Sequence, residues 1–208
     1  MKHSFFISSE PKAIEQFLST GERQRTTFEG LIFIYTREGE AQIEIDDRLY
    51  TLQAKSLLSI LPHHVYLIRK RSSLFRACTF AFTFDFMSDF PFLLSENISE
   101  KIQLLPLVRL TRDEQIRMND DLNVIQWYYQ LARHPSQREI LCSLAFVFTA
   151  EVKGIYSRNP IKITTTHCEE LTDRFFHLLQ KKFHTHREVA YYANKLCITP
   201  KYLARIIR

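Results

Sequence analysis

The 208-residue sequence predicts an α+β protein, in which short antiparallel strands form a small barrel or sandwich, α-helices follow, and two last helices are joined by a tight turn. Three observations carry that reading. Ala41, Ile43 and Ile45 alternate with Gln42, Glu44 and Asp46, the period of two of a half-buried strand, and short strand-like runs recur on both sides of it. After Asp85 the apolar spacing changes to three and four, the period of helices that bury one face. Near the C-terminal end, Thr199-Pro200 restarts a helical pattern just after another has stopped.

The elements follow in order. Periodicity is weak to about residue 25, where Pro11, Ala13, Ile14, Phe17 and Leu18 predict a short helix. Phe28 to Thr36 is rich in β-branched and aromatic residues and reads as a strand, with Glu38-Gly39 as a turn. The alternating strand ends at Asp46-Asp47, and Arg48 to Leu52 returns the chain. Leu57 to Leu61 is a short strand stopped by Pro62; Val65 to Ile68 and Phe75 to Phe84 complete the set. Alternation makes Phe33, Tyr35, Ile43, Ile45, Leu58, Ile60, His64, Tyr66 and Phe80 the inward-facing candidates.

Phe86 to Leu94 and Ile98 to Leu105 read as short helices. Thr111-Arg-Asp-Glu114 is a capping box, in which the Thr hydroxyl and the Glu carboxylate satisfy free amides at a helix start; that helix runs to about His134, before Pro135. Ser136 to Glu139 is a second capping box, opening a helix with Ile140, Leu141, Leu144, Phe148, Val152 and Ile155 on one side. Thr166 to Glu169 is a third, opening a helix with Leu171, Phe175, Leu178, Leu179 and Phe183. The predicted domains are a sensor unit over residues 1–85, a helical dimerisation or connector region over 86–157, a polar linker over 158–168 and a basic module over 169–208.

Composition narrows the function. Apolar residues are 45% of the chain and charged residues 25%, ordinary for a globular protein. With only 4 glycines there is no G-x-G-x-x-G or Walker loop to cradle phosphates. Cys78, Cys142, Cys168 and Cys197 form no C-x-x-C pair and read as buried reduced thiols. No apolar run reaches the roughly 18 residues of a membrane span, and the N-terminus lacks the features of a signal peptide, so the expectation is a cytoplasmic protein with no membrane partner. His63 and His64 are adjacent, no His-x-His lies in the β region, and His184-x-His186 reads as a solvated loop. The expectation is therefore no metal, no other cofactor, no catalytic residues and no enzyme.

Charge points elsewhere. The formal net charge is +5, and residues 169–208 hold 8 Lys/Arg against 4 Asp/Glu, so nearly all the excess sits in the last fifth of the chain. Such a module fits a polyanion. Within it Val189, Tyr192, Ala193 and Leu196 repeat at helical spacing, and Cys197-Ile198 makes a short turn. Thr199 caps a second helix with Tyr202, Leu203, Ile206 and Ile207 behind and Lys201, Arg205 and Arg208 in front. A helix-turn-helix needs this arrangement to enter a major groove.

The segment Arg187 to Arg208 resembles the first helix-turn-helix of the AraC/XylS family of transcription regulators. The pattern is carried here by Val189, Tyr192-Ala193, Leu196, Ile198, Thr199-Pro200 and Tyr202-Leu203. The β region is more loosely similar to that family's cupin-like sensor, through Gly39, Asp46-Asp47, Tyr50-Thr-Leu52 and Leu61-Pro-His-His64. Where the family often has a glycine, this chain has Ala54-Lys55.

The resemblance implies a cupin-like antiparallel β-barrel that senses a small-molecule effector, a homodimer through the helices of 111–157, and DNA as partner. It places Lys201, Ala204 and Arg205 on the base-reading face, with Thr199, Tyr202 and Arg208 at phosphates. Phe33, Tyr35, His64 and Tyr66 are the ligand-binding candidates. Family domains carry two helix-turn-helix units, and the chain stops within the first; the expectation is a truncated form that binds DNA weakly. Two rival readings are a metal-dependent cupin enzyme, an isomerase or oxygenase, and an interaction module whose barrel is solid core.

Overall fold

The computed structural model describes residues 4–18, 27–87, 96–131, 134–158, 171–172, 174–175, 178–179, 182 and 185–207. The chain divides into two compact units, one of Met1–Leu93 with Lys101–Pro160, the other of Leu94–Glu100 with Ile161–Arg208. The third capping box, the linker and the expected helix after Met87 lie outside the described residues.

In the first unit, β1 (Phe5–Ser8) leads into α1 (Pro11–Leu18), and then come β2 (Gly30–Glu38), β3 (Glu40–Ile45), β4 (Arg48–Gln53), β5 (Ser56–Ile60), β6 (Tyr66–Arg71) and β7 (Arg76–Thr83). α2 (Glu96–Leu104), which belongs to this unit from Lys101 on, and β8 (Leu107–Arg109) precede the long helices α3 (Arg112–Gln130) and α4 (Gln137–Arg158). The strands form two antiparallel sheets, one of order β1-β7-β2-β5-β8 and one of order β4-β3-β6. The described pairings thus give a two-sheet sandwich and no closed barrel.

The sheets meet through Ile32 and Ile34 of β2, Leu58 and Ile60 of β5, and Ala77 and Ala81 of β7 against Ala41, Ile43 and Ile45 of β3, Leu52 of β4 and Tyr66 of β6. Ile14 and Leu18 of α1 join the same core. The other face of the larger sheet carries the aromatic rings. Phe148 of α4 stands edge-on to Phe33 at 5.1 Å and to Phe80 at 4.9 Å. The larger sheet is therefore a middle layer, and β2 is buried without a break from Gly30 to Thr36.

Sequence alternation assigned Phe33, Tyr35 and Phe80 to the interior of the sandwich, and this is corrected: they face the helices. In a strand apolar on both sides, alternation separates two faces without saying which looks inward. The sandwich takes the smaller Ile and Ala side chains, and the helix layer takes the rings. α3 places Tyr129 against Phe5 of β1 at 5.6 Å and adds polar contacts, Asn119 Nδ2 donating to Tyr35 Oη at 3.3 Å, Arg37 Nη2 to Asn123 Oδ1 at 3.2 Å and Ser9 Oγ to Gln126 Oε1 at 3.1 Å.

The turns show where local chemistry sets the path. Asp46 and Asp47 both have positive φ, 45° and 66°, so the β3–β4 hairpin closes with the two-residue turn that matches strand twist. Gly39 sits at φ +69°, and an added Cβ would meet the backbone carbon of Leu74 at 2.6 Å. Lys55 adopts φ 69° where the resemblance leads one to expect glycine, and its amide donates to Thr36 O at 2.8 Å. His63 and His64 lie in the loop between β5 and β6 rather than on a strand. By length and composition alone α4 is apolar enough to cross a bilayer; in the fold Ala145, Phe148 and Val152 are buried.

Candidate nucleic-acid interface

In the second unit, α5 (Val189–Lys195) and α6 (Pro200–Ile206) are joined by a turn of four residues. Leu171, Tyr192, Ala193, Leu196 and Leu203 form its core, with Phe175, Leu178, Leu179, Ile198 and Ile206 packed around it. Ala193 is fully buried, so its methyl lets the two helices approach closely. The Tyr192 hydroxyl donates to His186 O at 2.5 Å, which ties the chain just before α5 to the middle of that helix.

The turn is a tightly specified C-cap. The Ile198 amide donates to Ala193 O at 3.0 Å and the Cys197 amide to Asn194 O at 3.2 Å, the paired bonds that satisfy carbonyls left free at a helix end. Cys197 takes φ 58°, the left-handed position that glycine usually fills. Thr199 then opens α6, its hydroxyl accepting from the Tyr202 amide at 3.2 Å, with Pro200 in the first turn where no amide partner is needed.

The strained cap yields a prediction. Left-handed backbone costs an L-residue roughly 1–2 kcal/mol, and glycine's extra entropy in the unfolded chain returns part of that. Cys197→Gly is expected to stabilise the C-terminal unit by about 0.5–1 kcal/mol. Native-state hydrogen exchange at the Ala193 and Leu203 amides should slow accordingly; unchanged or faster exchange counts against the strain argument.

Of the residues expected to meet DNA, Lys201, Ala204 and Arg205 are exposed on α6, Thr199 is exposed at its start, and Tyr202 is half-buried. The Arg205 guanidinium lies over the Tyr202 ring at 4.9 Å from its centroid. Arg208 lies outside the described residues. Exposed Lys195 and Asn194 end α5 beside the same turn, positions that helix periodicity alone did not single out. Cys197 is exposed, correcting its reading as a buried thiol; Cys78 and Cys142 are buried, and burial pushes the Cys78 thiol up.

The ligand-binding candidates separate. Phe33 and Tyr35 pack under the helices, and burial raises the Tyr35 phenol despite Asn119 and Arg37 nearby. Tyr66 is sealed in the sandwich core, where burial pushes its phenol to about 12. His64 alone reaches a cleft, one of about 230 Å³ at the edge of the sandwich. It opens where β4, the margin of one sheet, faces β5 and Pro106 of the other.

Within that cleft Asp46 Oδ2 accepts from His64 Nδ1, and Asp46 Oδ1 accepts from the Val65 amide at 2.9 Å. Partial burial pushes the Asp46 carboxyl up, but the His64 ring, the Val65 amide and Arg48 outweigh it and hold the acid below its ordinary range. Arg48, Tyr50, Ser59 and Gln103 complete the polar lining. No group of three or more His, Cys, Asp or Glu among the described residues could hold a metal ion.

No family model matches the chain, and no curated protein sequence matches it. Among solved structures it is similar to the AraC-like transcriptional activator CuxR, at 12% identity over 86% of this chain, with a TM-score of 0.44. The chain spans 60% of the CuxR chain's length. It is also similar to ToxT of Vibrio cholerae, at 13% identity over 97% of this chain and 73% of that one for an apo variant, with a TM-score of 0.41. Wild-type ToxT with bound unsaturated fatty acid gives 12% identity, 89% and 67% coverage, and a TM-score of 0.35.

Proposed function

We propose that this protein is a sequence-specific, DNA-binding transcription regulator of the AraC type, cytoplasmic and not an enzyme, with a small-molecule-sensing N-terminal unit. One observation carries the reading: α5 and α6 pack on a shared apolar core across a short capped turn, and α6 presents Lys201, Ala204 and Arg205 to solvent. Arg and Lys donate to guanine edges or phosphates, and the Ala204 methyl suits a thymine methyl. Tyr202 supports Arg205 by lying under its guanidinium. Homodimerisation through α3 and α4 fits the exposed Ile116, Val124 and Trp127 on one side of α3 and Val147 on α4.

Selection of duplexes from a random library by the full chain at low ionic strength tests this. An enriched sequence should emerge, and Arg205→Ala should weaken binding to it by about 1–3 kcal/mol while relaxing preference at one base position. Lys201→Ala should also lower the salt dependence by about one charge if it meets a phosphate. No enrichment, or equal binding by the double variant of Lys201 and Arg205, rejects the proposal.

A further inference from the structure

We propose that α3 is a strap that lifts off the larger sheet as a unit, rolling on α4, and that in its closed position it seals Cys78. The inference goes beyond the regulator reading and does not depend on it. Met118, Leu122 and Ile125 form one stripe of α3 and are fully buried, and α4 is the element on which α3 mainly packs. Polar ties to α4 lie along its whole length. Glu114 bonds Arg158, Arg117 Nε donates to Glu151 Oε2 at 2.9 Å, and Gln137 Nε2 donates to Tyr128 O at 2.9 Å.

The side of α3 that meets the sheet differs. Asn119, Asn123 and Gln126 are all amides, half-buried or exposed, and they reach Tyr35, Arg37 and Ser9 by one hydrogen bond each. Water can replace such bonds at small net cost. The ring contact of α3 with the sheet, Tyr129 on Phe5, comes from a tyrosine that stays exposed. α4, in contrast, is fastened to the sheet by the buried Phe148 ring. The closed seam also leaves Arg37 Nε buried with no hydrogen-bond partner, a cost that lifting removes. Beneath the seam lies Cys78, fully buried. It is the cross-strand partner of Tyr35, its thiol shares a hydrogen bond with Ser9, and Arg37 is near enough to act on it. The three sheet residues that α3 holds are therefore the same three that neighbour this thiol.

Exposure of Cys78 reads the position of the strap. The full chain, without denaturant or DNA, is labelled with iodoacetamide, and adducts at Cys78 are followed by peptide mass spectrometry. Amide exchange in β2 and β7 gives the global opening constant under the same conditions. The opening constant read at Cys78 should exceed that of the slowest amides by at least about tenfold. Ile43→Val, in the sandwich core, should speed those amides by about threefold to tenfold and leave Cys78 labelling unchanged, because lifting does not disturb that core. The double variant Asn119→Ala, Asn123→Ala should speed Cys78 labelling about tenfold with an unchanged far-UV spectrum. Asn123→Asp, which gives Arg37 a charged acceptor, should slow it about threefold. Labelling of Cys78 that tracks the slowest amides in Ile43→Val, or that is indifferent to the variants at Asn119 and Asn123, overturns the proposal.

Discussion

Phe148→Ala is expected to destabilise the N-terminal unit by about 3–5 kcal/mol. Phe148 is fully buried and is the point at which α4 grips the middle sheet. It meets Phe33 at an interplanar angle of 65° and Phe80 at 85°, the edge-to-face geometry that places positive ring edges on negative faces. Each such pair adds about 0.5–1.5 kcal/mol beyond the area it buries. Truncation loses both pairs and opens a cavity between two rigid elements that cannot close on it. Phe148→Leu keeps part of the volume and should cost roughly half as much. The sole tryptophan, Trp127, lies on α3 within the same unit, so denaturant unfolding followed by its fluorescence reads this unit selectively. A loss below about 1 kcal/mol for the alanine variant would show that α4 is held by something other than this contact.

Local chemistry was legible in the sequence, and contacts between distant segments were not. The Thr111 box, the Asp46-Asp47 hairpin and the Thr199-Pro200 start depend on neighbours a few residues away, and all three are present in the fold. The face chosen by Phe33 and Tyr35 depends on which layer covers which side of β2, and no period encodes that. The Asp46–His64 pair joins residues 18 positions apart through the meeting of a hairpin and a loop, so adjacency of His63 and His64 in sequence gave no hint of it. Lys55 and Cys197 hide their turns because neither is a residue that announces left-handed backbone. The cleft escaped notice for a further reason. The cleft's edge depends on which residue of β3 faces Arg48, and the pairing of Ile45 with Arg48 is not encoded by any period within β4.

The interactions at Glu114 show how a local signal became a long-range one. As a capping-box residue it accepts from the Thr111 amide at 2.7 Å, which sequence alone foresaw. The fold adds Arg158, the last residue of α4, whose Nε and Nη2 donate to the two carboxylate oxygens at 2.7 and 2.8 Å. Nη2 also donates to Arg109 O at 3.0 Å, so one carboxylate locks the start of α3, the end of α4 and β8 together. With the Glu114 side chain only 8% exposed, removing it strands a guanidinium as well as a helix cap. Glu114→Ala should therefore cost about 2–4 kcal/mol, and Glu114→Gln, which still offers an acceptor to Thr111, less. Burial raises the Glu114 carboxyl, but Arg158 and the Thr111 bonds prevail and lower it from its ordinary 4.5. A carboxyl depressed by folding contributes stability in full above its unfolded value and loses it as pH falls through the folded one. The gap in stability between the native chain and Glu114→Gln should accordingly be constant near neutrality and shrink steadily below about pH 4.5. A gap of the same size at about pH 6 and pH 3 would mean that the cap, not the ion pair, holds the two helix ends together.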